Sequence, residues 1–297
     1  MSSSRLVCCL GIIAIVGGCA SSESSPATGS TAHWEAQLKS ESPEDRLKAL
    51  EKLTILGTQA ASALPAINEA LQDPDTRVRL AAIEVIDRLI LSGKGSIAPV
   101  AALLEDPEDE VRARAAAAIG WGDEKDQQQQ YMEPLIKMLE DPSPAARLAA
   151  ARAIQRVDAT AKQPLPVLMQ LLDDQDAAIR TEAAAGLVPF GAEAKEAVPV
   201  LVKIIAEEDH LAREQAALAI VAIGPDAALA ARDTLIEIVD SCLNPSECLA
   251  VGQALALVGA DAKEAVPALR QMIGRFPRVQ TFGEEMNKIC DQIESAQ

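Results

Sequence analysis

An arginine recurs along the chain at a nearly constant interval. Segments aligned on it, such as VRLAAIEVI and VRARAAAAI, match position by position. The intervals are 33 residues, with one of 35, and the arginines are Arg46, Arg79, Arg112, Arg147, Arg180 and Arg213. A period of this length indicates a repeat protein, in which each unit packs only on its neighbours.

The segment that follows each arginine predicts an amphipathic helix. Ala predominates three and four positions on, and Ile or Leu stands seven positions on, as at Ala82 and Ile86. These spacings place the apolar residues on one helical face. A seventh segment, LAVGQALAL, lacks the arginine and is aligned here with Ala250 in its place and Leu257 seven residues later. Only 2% of residues are aromatic, which disfavours a β-sandwich or barrel.

A second helix is predicted in each unit from a recurring proline, which suits the first turn of a helix. The prolines are Pro65, Pro99, Pro134, Pro166, Pro199 and Pro267, and Asp233 takes the place once. Each unit is predicted to consist of helix A, a tight turn such as that at residues 73–75, and helix B with the arginine. We predict an all-α fold, an α-solenoid of about eight stacked antiparallel helix pairs.

This unit resembles the HEAT repeat, in particular the short Ala-rich form of phycobilisome lyase-type proteins. The resemblance covers residues 34–297 and implies an armadillo-type superhelix. It implies a protein-binding scaffold or adaptor. A lyase or isomerase of the bilin lyase type, or an accessory subunit of one, is an alternative, as is a structural spacer without a specific ligand.

An acidic residue stands six positions before most of the recurring arginines. Such a series could be a ladder of arginines for an anionic ligand. The resemblance instead implies a structural ladder, with the acid at the turn and the arginine bonding to neighbouring turns. Recurrence in every layer also favours architecture over a local site. The pairs are Asp73/Arg79, Asp106/Arg112, Asp141/Arg147, Asp174/Arg180 and the variant Glu207/Arg213.

Residues 1–18 have the organisation of a signal peptide. Arg5 precedes an apolar run over residues 6–16, which is too short to span a bilayer as a helix. The next residues complete VGGC, which resembles the lipobox of bacterial lipoproteins, with Val16 where Leu is usual. The alternative is an ordinary signal peptide in which Cys19 is incidental.

The lipobox resemblance implies that Cys19 is lipid-modified and becomes the mature N-terminus. Because Ala20 rather than Asp follows, it also implies the outer membrane, with the solenoid facing the periplasm. Residues 19–33 are predicted to be this lipidated end and a flexible tether, since they are rich in Ser, Ala, Thr and Gly.

Two further cysteines, Cys242 and Cys248, flank LNPSE in a turn that is longer than usual. We predict a disulfide between them, because exported proteins can keep disulfides. Two free thiols are the alternative, since sequence alone does not establish pairing geometry. Cys290 lies on an apolar stripe and is predicted to be a buried thiol. The polar insertion DEKDQQQQY at residues 123–131 is predicted to be a solvated loop.

Catalytic motifs are missing from the sequence. It has no GxSxG, HExxH or glycine-rich phosphate loop, and it has two histidines and one tyrosine. We therefore predict that the protein is not an enzyme and has no cofactor or metal. The net charge of −17 disfavours nucleic acid as a partner.

A protein is therefore the predicted partner. It is expected on a concave surface lined by the B helices, at positions that vary between units, with Arg114 and Arg152 near the middle of the arc. The candidate contact residues are Lys48, Arg114, Arg152, Glu182 and Gln215.

Overall fold

The computed structural model describes residues 29–122, 129–207 and 209–296, and in these ranges the chain is helical without β-strands. The predicted all-α solenoid is confirmed. The predicted signal peptide, Cys19 and most of the predicted tether lie outside the described residues, as does most of the polar insertion. The helices are α1 (Thr31–Gln37), α2 (Pro43–Leu56), α3 (Leu64–Ala70), α4 (Thr76–Leu91), α5 (Ala98–Ala101), α6 (Asp109–Trp121), α7 (Met132–Lys137), α8 (Pro144–Val157), α9 (Pro164–Leu171), α10 (Ala177–Leu187), α11 (Val198–Glu207), α12 (His210–Ile223), α13 (Pro225–Ile238), α14 (Pro245–Val258), α15 (Val266–Arg275) and α16 (Gln280–Ser295).

These helices alternate between the two predicted kinds. The odd-numbered ones are A helices, most of which carry their proline within the first three residues, and the even-numbered ones are B helices. Short 3₁₀ turns extend several A helices and follow α2, α10 and α14. Each recurring arginine is the fourth residue of its B helix, so the repeat register is a structural register.

The B helices of successive units pack directly on one another. Their alanines three and four positions after the arginine are buried, and Ala82, Ala115 and Ala116 are fully so. Gly120 shows how close the approach is, because a Cβ at this position would lie 2.8 Å from the Cα of Ala153 on α8. Small residues on this contact face therefore hold the stack of B helices together.

The recurring arginines link each turn to the next. The guanidinium of Arg79 forms a bidentate pair with Asp106 of the following unit, at 2.9 Å from Nε and 2.8 Å from Nη2. Its Nη1 donates to the carbonyl oxygen of Asp73 in its own turn at 2.9 Å. Arg46 pairs in the same way with Asp73, and Arg112 pairs with Asp141. Each carboxylate thus pairs with the arginine of the preceding unit.

The carboxylates of the ladder also order their own turns. Oδ1 of Asp73 accepts the backbone N–H of Asp75, and the same Asx turn recurs at Asp106, Asp141 and Asp174. Because the N–H two residues after the aspartate is satisfied, the turn is fixed where the next B helix begins.

Within the described residues, the ladder differs from this pattern at Arg147 and at Arg213. The guanidinium of Arg147 contacts the carbonyl oxygens of Asp141 and Pro142 in its own turn, and within the described ranges no ion pair joins it to Asp174. Arg213 contacts Ser241 and the fully buried Glu247 instead of an aspartate.

The structure corrects the predicted register of the seventh unit. Asn244 caps α14, so Cys248 rather than Ala250 takes the fourth position of this helix. The core residue seven positions on is the fully buried Leu255, whereas Leu257 is only half-buried. The prediction was wrong because this unit lacks the arginine on which the other units are aligned. Its Ala-rich sequence fits the helical pattern equally well in a register shifted by two residues.

Two further boundaries differ from the prediction. Asp233 is exposed within α13, which begins directly at Pro225 after Gly224 (φ 120°) ends α12. The first helix begins at Thr31, whereas the tether was predicted to continue to residue 33. Leu38 at its end is buried, so this short helix already belongs to the first layer.

We expect Arg79→Ala to lower the free energy of unfolding by about 3–5 kcal/mol, because it leaves the buried Asp106 carboxylate without its counter-charge. Chemical denaturation followed by circular dichroism measures this loss. The matched control is Arg77→Ala, which removes an exposed guanidinium in the same unit. An equal loss in the two variants would contradict the structural role of the ladder.

Candidate functional site

The exposed side of the B helices is a repeated surface, here called the B-helix face. Residues two, five and nine positions after each register arginine share this side of the helix, because they stand at i, i+3 and i+7. On the first four B helices they are Lys48, Glu51 and Ile55; Ala81, Glu84 and Arg88; Arg114, Ala117 and Trp121; and Ala149, Arg152 and Arg156.

A groove crosses the B-helix face over α2, α4 and α6. Its first part, about 800 Å³, is lined by residues that include Lys48, Glu51 and Ile55. The second part, about 500 Å³, is lined by residues that include Arg114 and Ala117. Ala81 and Glu84 of α4 line both parts, so the two depressions adjoin along this helix. Side chains of both charges stand along it.

Arg114, a predicted contact residue, lies against the preceding unit. Its Nε is 3.7 Å from Oδ2 of Asp87 on α4, and half of its side chain is exposed. The Asp87 carboxyl is mostly buried, and its Oδ1 has no hydrogen-bond partner in the described residues. Burial raises the pKa of Asp87 to about 6, although Arg114 acts to lower it.

Two other predicted contact residues, Arg152 and Glu182, meet each other. Nη2 of Arg152 on α8 is 3.5 Å from Oε2 of Glu182 on α10, and its Nη1 donates to the backbone oxygen of the same residue at 3.4 Å. Nearby, Nε2 of Gln155 donates to the carbonyl oxygen of Gly186 at 2.7 Å. The structure therefore brings these two candidates together, while Lys48 lies in the groove and Gln215 lies half-buried on α12.

The sequence reasoning missed one interaction on this face. The guanidinium carbon of Arg156 on α8 lies 3.8 Å from the ring centroid of Trp121 on α6, a cation–π stack. Trp121 is 43% exposed. Both residues stand nine positions after their register arginines, so a comparison of that position between successive units could have found the pair.

The predicted disulfide is not formed in the structure. Cys242 and Cys248 are buried free thiols, and Sγ of Cys242 donates to the carbonyl oxygen of Ile238 at 3.7 Å. A hydrogen bond with Cys248 and burial raise the pKa of the Cys242 thiol. The long turn is held instead by the buried Glu247, which accepts the backbone N–H of Leu243 at 2.9 Å. Cys290 is also buried.

Two other kinds of site are absent from the part of the chain that the structure describes. Within the described residues, no three His, Cys, Asp or Glu side chains are grouped so that they could hold a metal ion. None of the helices that the structure describes has the length and apolar character needed to cross a membrane.

Comparisons with known proteins agree with this architecture. A family model described as HEAT repeats matches residues 31–120, 97–188 and 165–245. An engineered protein of known structure is similar, with a TM-score of 0.60 and 20% identity, over 90% of this chain and 79% of that chain. A designed armadillo repeat protein in complex with the peptide (KR)₄ has a TM-score of 0.50 and 22% identity, over 66% of this chain and 100% of that chain.

The complex of CpcE and CpcF of phycocyanin lyase from Nostoc sp. has a TM-score of 0.49 and 20% identity, over 92% of this chain and 100% of that chain. No curated protein matches the chain. At these identities, the likeness to solved structures shows the fold alone.

We expect the pH dependence of stability to change in Asp87→Asn. The pKa of Asp87 is raised from 3.8 to about 6 by folding, so the folded state holds this proton more tightly than the unfolded chain does. This contribution is fully present below pH 3.8 and is lost as the pH rises through about 6. Relative to wild type, the variant should therefore be more stable above pH 6 than below pH 4, as measured by denaturation across that range. Parallel pH profiles would contradict the expectation, and the control is Asp226→Asn at an exposed carboxylate.

Proposed function

The chain belongs to the HEAT-repeat family, and on this premise we propose that it is a protein-binding scaffold or adaptor whose partner docks on the B-helix face. The observation that carries the proposal is the groove of two adjoining depressions over α2, α4 and α6. Its walls repeat with the period of the units, which suits an extended segment of a partner chain.

The charges on the B-helix face support a protein partner. Lys48 and Arg114 alternate with acidic residues such as Glu84 along the groove, so neither sign dominates. Mixed charges of this kind select a partner by complementarity at individual positions. The net charge of −17 would oppose a polyanion such as a nucleic acid. A solved protein of the same fold that holds a peptide also supports this class of partner.

The proposal is binding rather than catalysis. The lyase-type alternative rests on resemblance at the level of the repeat, and the phycocyanin lyase complex is too distant to carry an argument. A structural spacer without a ligand needs no groove. The crosslinking experiment described below distinguishes a spacer from a scaffold.

We further propose that the scaffold is attached to the outer membrane, facing the periplasm, through a lipid on Cys19. The support is the arrangement of Arg5, the apolar run 6–16 and VGGC. Each buried CH₂ group of an acyl chain contributes roughly 0.8 kcal/mol to membrane binding, so several chains on one residue make a lasting anchor.

We expect in vivo crosslinking followed by affinity capture from native membranes to yield a defined partner with the wild-type protein. Arg114→Glu combined with Arg152→Glu should lose it, because both charges on the B-helix face are reversed. The matched control is Arg232→Glu with Arg270→Glu on the A helices α13 and α15. Circular dichroism checks that the variants are folded. The same captured proteins with both double variants would count against docking on this face and would favour the spacer.

We expect Cys19→Ala to abolish incorporation of radiolabelled palmitate and to release the protein from the membrane fraction. The measurement is labelling in cells that export the full chain, followed by fractionation. Cys290→Ala is the control, since this thiol is buried in the solenoid. Unchanged labelling of the Cys19 variant would show that the lipobox resemblance is misleading.

A further inference from the structure

We propose that Trp121, Arg152 and Arg156 form a binding site for the carboxylate of an acidic side chain in the partner protein. This inference rests on the proposed function, because it assumes that a partner lies on the B-helix face. It goes further by assigning the chemistry that one position of the partner must have.

The Arg156 guanidinium is stacked on Trp121. Trp121 covers one of its faces at 3.8 Å, while in the described residues no acceptor or carboxylate pairs with its N–H groups. Other arginines of this acidic chain have a carboxylate close by, including Arg77, Arg88, Arg232 and Arg270. A stacked guanidinium retains its donors at the edge, in the planar fork that matches a carboxylate.

The unpaired N–H groups of Arg156 are also partly removed from water. Arg156 is half-buried, and this burial lowers its pKa to about 10, with Arg152 as a further cause. A cation that has lost part of its hydration gains more from an incoming anion than a fully solvated one does. The site is therefore poised to bind an anion.

The backbone fixes the geometry of the site. A Cβ at Gly120 would lie 2.8 Å from the Cα of Ala153 and 3.5 Å from Nη1 of Arg156, so α6 and α8 approach closely only because this residue is glycine. Trp121 follows Gly120 directly, and its ring thereby reaches the arginine on the next helix. Because both side chains are held by packed helices, little freedom is lost when a ligand binds.

Arg152 supplies the second charge. It lies one helical turn before Arg156, on the same side of α8. Glu182 neutralises part of this charge, since its carboxylate is 3.5 Å from Arg152. Among the residues that the structure describes, two arginines and one glutamate leave a single net positive charge, which one carboxylate balances. A carboxylate leaves the site neutral, whereas a phosphate dianion would leave it with a net negative charge, so charge balance favours a carboxylate.

The site lies next to the groove, which indicates that the bound carboxylate belongs to a partner segment in that groove. Ala117 lines the groove and stands one turn before Trp121 on α6, so the groove leads to the site. An extended segment lying over α2, α4 and α6 would reach Arg156 with one of its side chains. The exposed part of the Trp121 ring would then pack against an apolar neighbour of the acidic residue.

Selection of a random displayed peptide library on the full chain tests the site. We expect the enriched peptides to share an Asp or Glu at a fixed position, beside an apolar residue. An enriched peptide is then synthesised with the acid and with its amide, and both are titrated in a Trp34→Phe background. Trp121 is then the only tryptophan, because the chain has two, and its emission reports the site.

The acidic peptide should bind at least about tenfold more tightly than the amide, which corresponds to about 1.4 kcal/mol. Arg156→Gln should remove this difference in affinity. Arg156→Lys should keep only part of it, because lysine lacks the planar guanidinium that stacks on Trp121. Arg232→Gln on α13 is the control and should leave the difference intact. The acid and the amide are compared on the same protein, so a folding defect cannot produce the difference between them.

Equal affinity for the acid and the amide, or an undiminished difference in Arg156→Gln, would overturn the carboxylate site. The proposed scaffold would survive that result, because the peptide would still bind. Enriched peptides without a fixed acid would also overturn it. If the library yields no ligand, the carboxylate site is rejected, while capture of the partner in cells still decides the proposed function.

Discussion

The bidentate pair between an arginine and the aspartate of the next turn is the interaction on which the register of this solenoid depends. Arg79 shows how one side chain does two tasks, since it holds the carbonyl oxygen of its own turn and the carboxylate of the following one. The aspartate in turn accepts the backbone N–H of Glu108, the residue directly before the next B helix. Because the pair is buried, a shift of one unit against the next would leave charges unpaired.

The fixed register determines which side chains of successive B helices meet on the B-helix face. Each B helix offers the same set of outward positions, and the packing of alanines holds neighbouring helices close enough for side chains to interact across units. Asp87 with Arg114, Trp121 with Arg156, and Arg152 with Glu182 are all contacts between successive B helices. Differences between units at these few positions therefore give the face its local chemistry, while the remaining positions maintain the stack.

Sequence alone predicted the helical class, the pairing of helices and most of the repeat register, because the arginine and the apolar face recur together. It failed where the arginine was missing, since Ala and Leu occupy too many positions to mark a register unaided. The predicted disulfide is not formed in the structure, where Cys242 and Cys248 are free thiols and Glu247 accepts a backbone N–H of the same turn. The Trp121–Arg156 stack was missed for another reason: it joins residues 35 positions apart in neighbouring units, and each is ordinary within its own helix.

The junction between α8 and α10 is joined differently from the earlier ones. Arg147 stays with its own turn, and the two helices are connected instead on the B-helix face, where Arg152 and Gln155 donate to backbone oxygens of α10. At this junction the B-helix face carries the contacts between the two helices, and within the described residues no ion pair bridges Arg147 to Asp174 at the turn. Arg152 therefore serves two purposes at this layer, since it joins α8 to α10 and also supplies a charge of the proposed carboxylate site.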